Sequence, residues 1–155
     1  MATCFARRCR FARHAANTLL PICSLKASHL PHLTDSSVAA VLRKCPLLEH
    51  LDVSHGRGIT GKCFLGRSDG GLMTASVFSL KYLDISYCKH LIPGTLYYVG
   101  AGLVQLEDLH ISHYTAMVPN EVESLSASAG KHLRSFDVSG WDISEKVRRS
   151  TSPTL

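Results

Sequence analysis

Apolar and polar positions alternate in a recurring way along this chain. The stretch "LEHLDVSHG" (Leu48 to Gly56) places leucine, leucine and valine at the first, fourth and sixth positions and serine at the seventh. The same spacing returns in "LKYLDISYC" (Leu80 to Cys88), "LEDLHISHY" (Leu106 to Tyr114) and "LRSFDVSGW" (Leu133 to Trp141), and more weakly in "ICSLKAS". Period-two alternation over so short a span predicts a strand with one buried face. Recurrence predicts that several such strands share one architecture.

The middle apolar residues are Leu25, Leu51, Leu83, Leu109 and Phe136, separated by 26, 32, 26 and 27 residues. The longer step contains "GRSDGG" (Gly66 to Gly71), whose composition reads as a loop insertion. Between strands the period changes to that of a helix. In "LTDSSVAAVLRKCP", Thr34 or Asp35 is placed to cap the start. Val38, Val41 and Leu42 form an apolar stripe, Arg43 and Lys44 lie in the last turn, and Pro46 stops the helix. "NEVESLSASAG" follows the same logic, with Asn120 as cap, Glu121 and Glu123 as early acids, and Gly130 at the end. "GTLYYVGAGL" is a poorer helix because of its internal glycines. A strand plus a helix cannot bury its own apolar side, but stacked copies can, with a parallel sheet on a concave side and helices on a convex side.

These residues carry a resemblance. "LTDSSVAAVLRKCPLLEHLDVSHGRGIT" and "LKYLDISYC" resemble the cysteine-containing subtype of leucine-rich repeat, across roughly residues 20–143. The resemblance implies an α/β leucine-rich-repeat solenoid of about four and a half units. The subtype is typical of F-box leucine-rich proteins, the substrate adaptors of cullin-type ubiquitin ligases. That implies a protein partner, possible contact with cullin-ligase subunits and no enzymatic activity. Within the pattern, only Cys88 fills the post-strand cysteine position, where the other copies carry Leu30, Gly56, Tyr114 and Trp141, and only Cys45 fills the helix-end position. An F-box is a helical unit ahead of the repeats, and the short segment before the first copy cannot hold a complete one.

Charge sharpens the picture. The chain has 155 residues and a formal net charge of +5. Arg7, Arg8, Arg10 and Arg13 lie in the first 16 residues, and Lys146, Arg148 and Arg149 face Glu145 near the end. Setting these aside from totals of 17 and 12 leaves 10 basic and 11 acidic residues over 17–143. A near-neutral body lacks the clustered basic footprint of a nucleic-acid binder. No apolar run reaches the ~20 residues of a membrane span. The hydrophobic share, 45%, fits a globular chain. Cys4, Cys9, Cys23, Cys45, Cys63 and Cys88 show no C-x-x-C spacing and no secretory signal precedes them, so a reduced, intracellular compartment is expected.

Three segments follow: an Arg-rich start (1–19), the repeats (20–143) and a polar tail (144–155). Phe5, Cys9, Ala12, Ala16 and Leu19 fall on one helical stripe, which reads either as a mitochondrial transit peptide or as a basic helix leading into the first copy. The first alternative makes the chain similar to the short mitochondrial leucine-rich assembly or coupling factors; the second goes with a cytoplasmic location. The last strand shows no following helix or cap, so a partner or a further stretch of protein is expected to cover it.

The outward positions supply candidate chemistry. Before the middle apolar residue the copies read Ser24, His50, Tyr82, Asp108 and Ser135; after it, Lys26, Asp52, Asp84, His110 and Asp137. Further on they read Ser28, Ser54, Ser86, Ser112 and Ser139, then His29, His55, Tyr87, His113 and Gly140. The expected partner-binding residues are His50, Asp52, Tyr82, Asp84, Tyr87, Asp108, His110 and His113, with no cofactor. Exposed tyrosines suit such a face as large anchors with a polar tip. A metal site among His50, Asp52, Asp84 and His110 is the sharper reading, and with it a metal-dependent hydrolase. The regularity of the columns favours a recognition surface instead, and no nucleophile elbow surrounds any one serine. Cys45 and Cys88 read as buried structural thiols.

Overall fold

The computed structural model describes residues 5–8, 22–64, 79–118, 120–129 and 131–141. The rest of the Arg-rich start, the Gly66–Gly71 insertion and the tail from 144 lie outside the described residues. The architecture is α/β: a six-stranded, mostly parallel sheet with α-helices in the crossovers. The strands are β1 (Phe5–Arg8), β2 (Ile22–Lys26), β3 (His50–Asp52), β4 (Tyr82–Asp84), β5 (Asp108–His110) and β6 (Ser135–Asp137). The helices are α1 (Asp35–Lys44), α2 (Thr95–Gly102) and α3 (Glu121–Ala129), and a short 3-10 turn spans Lys62–Phe64.

From β2 to β6 the order in the sheet follows the order in the chain, and every pairing is parallel. The register aligns Leu25, Leu51, Leu83, Leu109 and Phe136, the same residues that set the sequence period. These side chains and their neighbours build the core. Leu48, Leu51, Leu80, Leu83, Ile85, Leu106, Leu109 and Ile111 are fully buried. Each such side chain contributes about 2 kcal/mol relative to exposure. In the last copy Leu133 and Phe136 are only partly buried.

The helices start as their sequences predict. Thr34 caps α1, its hydroxyl oxygen accepting from the Ser37 amide. Val38 and Leu42 turn inward, and Arg43 and Lys44 occupy the last turn. The glycine-rich α2 forms because burial of Leu96, Val99 and Leu103 outweighs its weak propensity. At Gly100 a Cβ would lie 3.2 Å from the Cα of Leu125 on α3, so the missing side chain permits the close crossing.

The acids that open α1 and α3 bind neighbouring turns. The Asp35 carboxylate accepts from the amides of Thr60 and Gly61, each at 3.2 Å. Glu121, 2% exposed, accepts from the Gly94 amide at 2.6 Å, the Leu96 amide at 3.2 Å and the Tyr114 hydroxyl at 3.0 Å. Each buried amide finds its acceptor one layer away, which ties consecutive crossovers together.

The N-terminal segment departs from expectation. Phe5 sits on a strand rather than a helix: Phe5–Arg8 pairs antiparallel with β2, with Phe5 opposite Lys26 and Ala6 opposite Leu25. The free edge of β2 offers unpaired backbone groups, and pairing satisfies them more fully than an isolated basic helix would. A bulge between Arg7 and Arg8 ends the regular register.

Candidate interaction face

Residues flanking each buried central leucine point to the opposite side of the sheet. His50, Tyr82 and Asp108 therefore form one aligned column, and Asp52, Asp84 and His110 a second. The His50 and Tyr82 rings stack, with centroids 3.9 Å apart and planes 5° from parallel. Tyr82 continues to His110 in a tilted contact at 5.1 Å. His110 in turn lies 3.7 Å from the Asp137 carboxylate. These outward side chains are half-buried, held on both sides by their neighbours in the column.

The environment tunes these groups. Burial, then Lys26, holds the His50 imidazole below its ordinary value, against the pull of Asp52, Asp84 and Asp108. The Tyr82 hydroxyl is pushed up to about 12 by burial and by the same three carboxylates. His50 Nδ1 is buried without a hydrogen-bond partner. A neutral imidazole tolerates that atom as a bare acceptor, whereas protonation there would leave a charged donor unpaired.

The aspartates have a second role at the strand ends. Asp52 Oδ1 accepts from the Ser54 amide at 3.1 Å and its hydroxyl at 2.8 Å. Asp84 Oδ1 accepts from the Ser86 amide at 2.9 Å, and Asp137 Oδ1 from the Ser139 amide at 2.9 Å and hydroxyl at 2.6 Å. Each Asp-x-Ser is a side-chain-closed turn. The Ser139 bonds, with one from Ser112, hold Asp137 well below the usual carboxylate range. Ser54, Ser86 and Ser139 are thus engaged in turn closure.

The turn that follows carries a feature the sequence signals only faintly. His29, His55, Tyr87 and His113 all adopt left-handed backbone, with φ of 59°, 58°, 58° and 61°. Their amides donate to the carbonyls of Ser54, Ser86, Ser112 and Ser139 at 2.8 to 3.0 Å, extending the ladder past the strands. Their rings stack in series at 3.9, 4.5 and 4.4 Å. Gly140 closes the column with φ of 71°; a Cβ there would come within 2.6 Å of the His113 ring. Tyr87 and His113, placed with His50 and Tyr82 in the expected partner-binding set, stack in this column with His29 and His55. The last two were visible as column members but were not singled out. Burial and the neighbouring His29 hold the His55 imidazole below its ordinary value.

Three thiols, Cys45, Cys63 and Cys88, are held in the protonated form. Cys45 and Cys88 are buried, and the Cys88 thiol donates to the Val53 carbonyl at 3.4 Å. Burial pushes Cys88 up to about 12 and raises Cys45; burial and Asp35 raise Cys63 well beyond its ordinary value. Such thiols stay protonated and unreactive at neutral pH. Among the described residues, no group of three or more His, Cys, Asp or Glu side chains is placed to hold a metal ion, His50, Asp52, Asp84 and His110 included. No helix among them is long and apolar enough to cross a membrane. No family model matches the chain, and no curated protein sequence matches it.

Proposed function

We propose that the chain is a leucine-rich-repeat solenoid that binds a protein partner across the outward columns of its sheet. The observation that carries this reading is the in-register array of His50, Tyr82, Asp108, Asp52, Asp84 and His110 on one face. Half-exposed aromatic and charged side chains, held rigid by stacking, lose little freedom on binding. Turn closure by the serines and aspartates, and the protonated thiols, support a binding role over a catalytic one.

In its most specific form the reading is the substrate-recognition part of an F-box-type ubiquitin-ligase adaptor in the cytoplasm. It rests on the resemblance of the Thr34–Pro46 and Leu80–Cys88 stretches. The rival is a mitochondrial leucine-rich assembly or coupling factor. The two differ in the fate of the first residues. Pairing of Phe5–Arg8 with β2 supports a segment retained as part of the fold.

The test is proximity labelling with the tagged full chain in its native cell, scored with the mass of the mature N-terminus. Enrichment of cullin-ligase subunits on a chain with its N-terminus intact is the expected result. Mitochondrial neighbours and a shortened chain would replace it with the rival. A parallel experiment with His50→Ala and Tyr82→Ala combined should reduce labelled partners about tenfold, as loss of a central anchor does.

A further inference from the structure

Two columns converge where the strands end. His29, His55 and Tyr87 occupy the left-handed position of three successive turns, and two residues beyond them stand Pro31, Arg57 and Lys89. With His90 they line a cleft of about 660 Å³. Pockets of roughly 300–1,000 Å³ hold small ligands or short segments. Among the described residues, no acidic one lines this cleft. Asp52 and Asp84, the carboxylates that act on His55, are bonded to their own turns. Arg57 and Lys89 are exposed, and among the described residues neither joins an ion pair. Two unpaired cations and several imidazoles thus face one space with no counter-charge among the described residues of its walls.

Ring geometry narrows the ligand. One face of His55 packs on His29 and the other on Tyr87, whose second face packs on His113. His55 and Tyr87 therefore meet the cleft with their edges. An edge carries imidazole nitrogens or a phenolic hydroxyl, which donate hydrogen bonds; it is no platform for a nucleobase. Cations with edge donors match a doubly charged group bearing several acceptor oxygens, and the Arg57 fork suits two of those oxygens at once.

We propose that this cleft binds the phosphoryl group of a phosphorylated serine or threonine segment of a protein partner. Arg57 and Lys89 supply the charge, and His29, His55, His90 and Tyr87 the surrounding donors. The source of the phosphoryl group rests on the protein-binding reading above; the anion site itself does not.

The experiment titrates the full chain with three probes: inorganic phosphate, an Ala-phosphoserine-Ala peptide blocked at both ends, and its unphosphorylated counterpart. Imidazole signals are followed by heteronuclear NMR. The phosphopeptide should shift the His29, His55 and His90 signals and bind at least about tenfold more tightly than the serine peptide. Arg57→Ala combined with Lys89→Ala should weaken it about tenfold or more, while Arg134→Ala, exposed elsewhere, leaves it unchanged. Circular dichroism of the double variant checks its fold. Equal affinity for both peptides, unmoved imidazole signals, or a double variant that binds like the parent overturns the proposal. Inorganic phosphate binding as tightly as the phosphopeptide overturns its peptide part and makes free phosphate the ligand. Proximity labelling with the double variant separates the two readings: partners retained while phosphopeptide binding is lost leave the sheet face standing without the cleft.

Discussion

The strand ladder and the turn ladder use the same residue types in opposite settings. His50, Tyr82 and His110 lie on extended backbone among Asp52, Asp84 and Asp108. His29, His55, Tyr87 and His113 lie on left-handed backbone, beside Arg57, Lys89 and His90 over most of its length. One column is bordered by acids, and the other, in the His55 and Tyr87 copies, by the cations Arg57 and Lys89. What a histidine or tyrosine does here is decided by its backbone conformation and its neighbours, not by its identity.

A single substitution made in both ladders gives the largest contrast. His55→Val forces a β-branched residue into left-handed backbone and should cost about 2 kcal/mol in denaturant unfolding. His50→Val enters a strand, where branching is favoured, and removes the unpartnered Nδ1; it should stay within about 0.5 kcal/mol of the parent. Equal losses would mean that the two backbones are not different in kind.

Glycine and alanine sharpen the same point at smaller scale. At position 55 glycine should be more stable than alanine by about 1 kcal/mol, because only glycine is free of the left-handed penalty. At position 50 the order should reverse by roughly 0.5–1 kcal/mol. Thermal unfolding of the four variants reads both differences.

Acidification gives the smallest effect. His50 and His55 are both held below the ordinary imidazole value, chiefly by burial. The unfolded chain therefore takes up protons first. Stability is complete above the unfolded value of about 6.5 and declines as pH falls from there through the folded values. Melting temperature should drop between roughly pH 7.5 and 5, and His50→Gln or His55→Gln should each flatten part of that slope. A flat profile in the parent would remove the electrostatic side of the comparison.

Much of this was legible in the chain. The alternation around Leu51, Leu83 and Leu109 named the strands and their inward face, and the register pairs these residues. Thr34, Arg43 and Lys44 marked the ends of α1. β1 was not legible, because an Arg-rich run shows no alternation and its pairing depends on an edge that exists only after β2 has folded. Glu121 read as a helix-dipole acid; its bonds to Gly94, Leu96 and Tyr114 join residues that only the fold brings together. The left-handed turn had one clue: Gly140 stands in the same column as three histidines and a tyrosine. Glycine is the residue that takes such backbone freely, and its presence hinted at what the others were made to adopt. Which outward residues share a stack depended on ring orientations that spacing does not encode.

The turn-closing aspartate is missing from the copy that carries His110, as it is from the first copy, where Lys26 takes its place. In the His110 copy the Ser112 hydroxyl donates to Asp137 of the next strand at 2.8 Å, and its amide donates to the Ser86 hydroxyl of the previous one at 3.2 Å. The defect is repaired from both sides by intact neighbours. Such a design is redundant in the way of an error-correcting code: a lone loss is absorbed, while losses in adjacent copies remove the very groups that would mend them. On this framework the outward position before the central apolar residue differs from copy to copy, as His50, Tyr82 and Asp108.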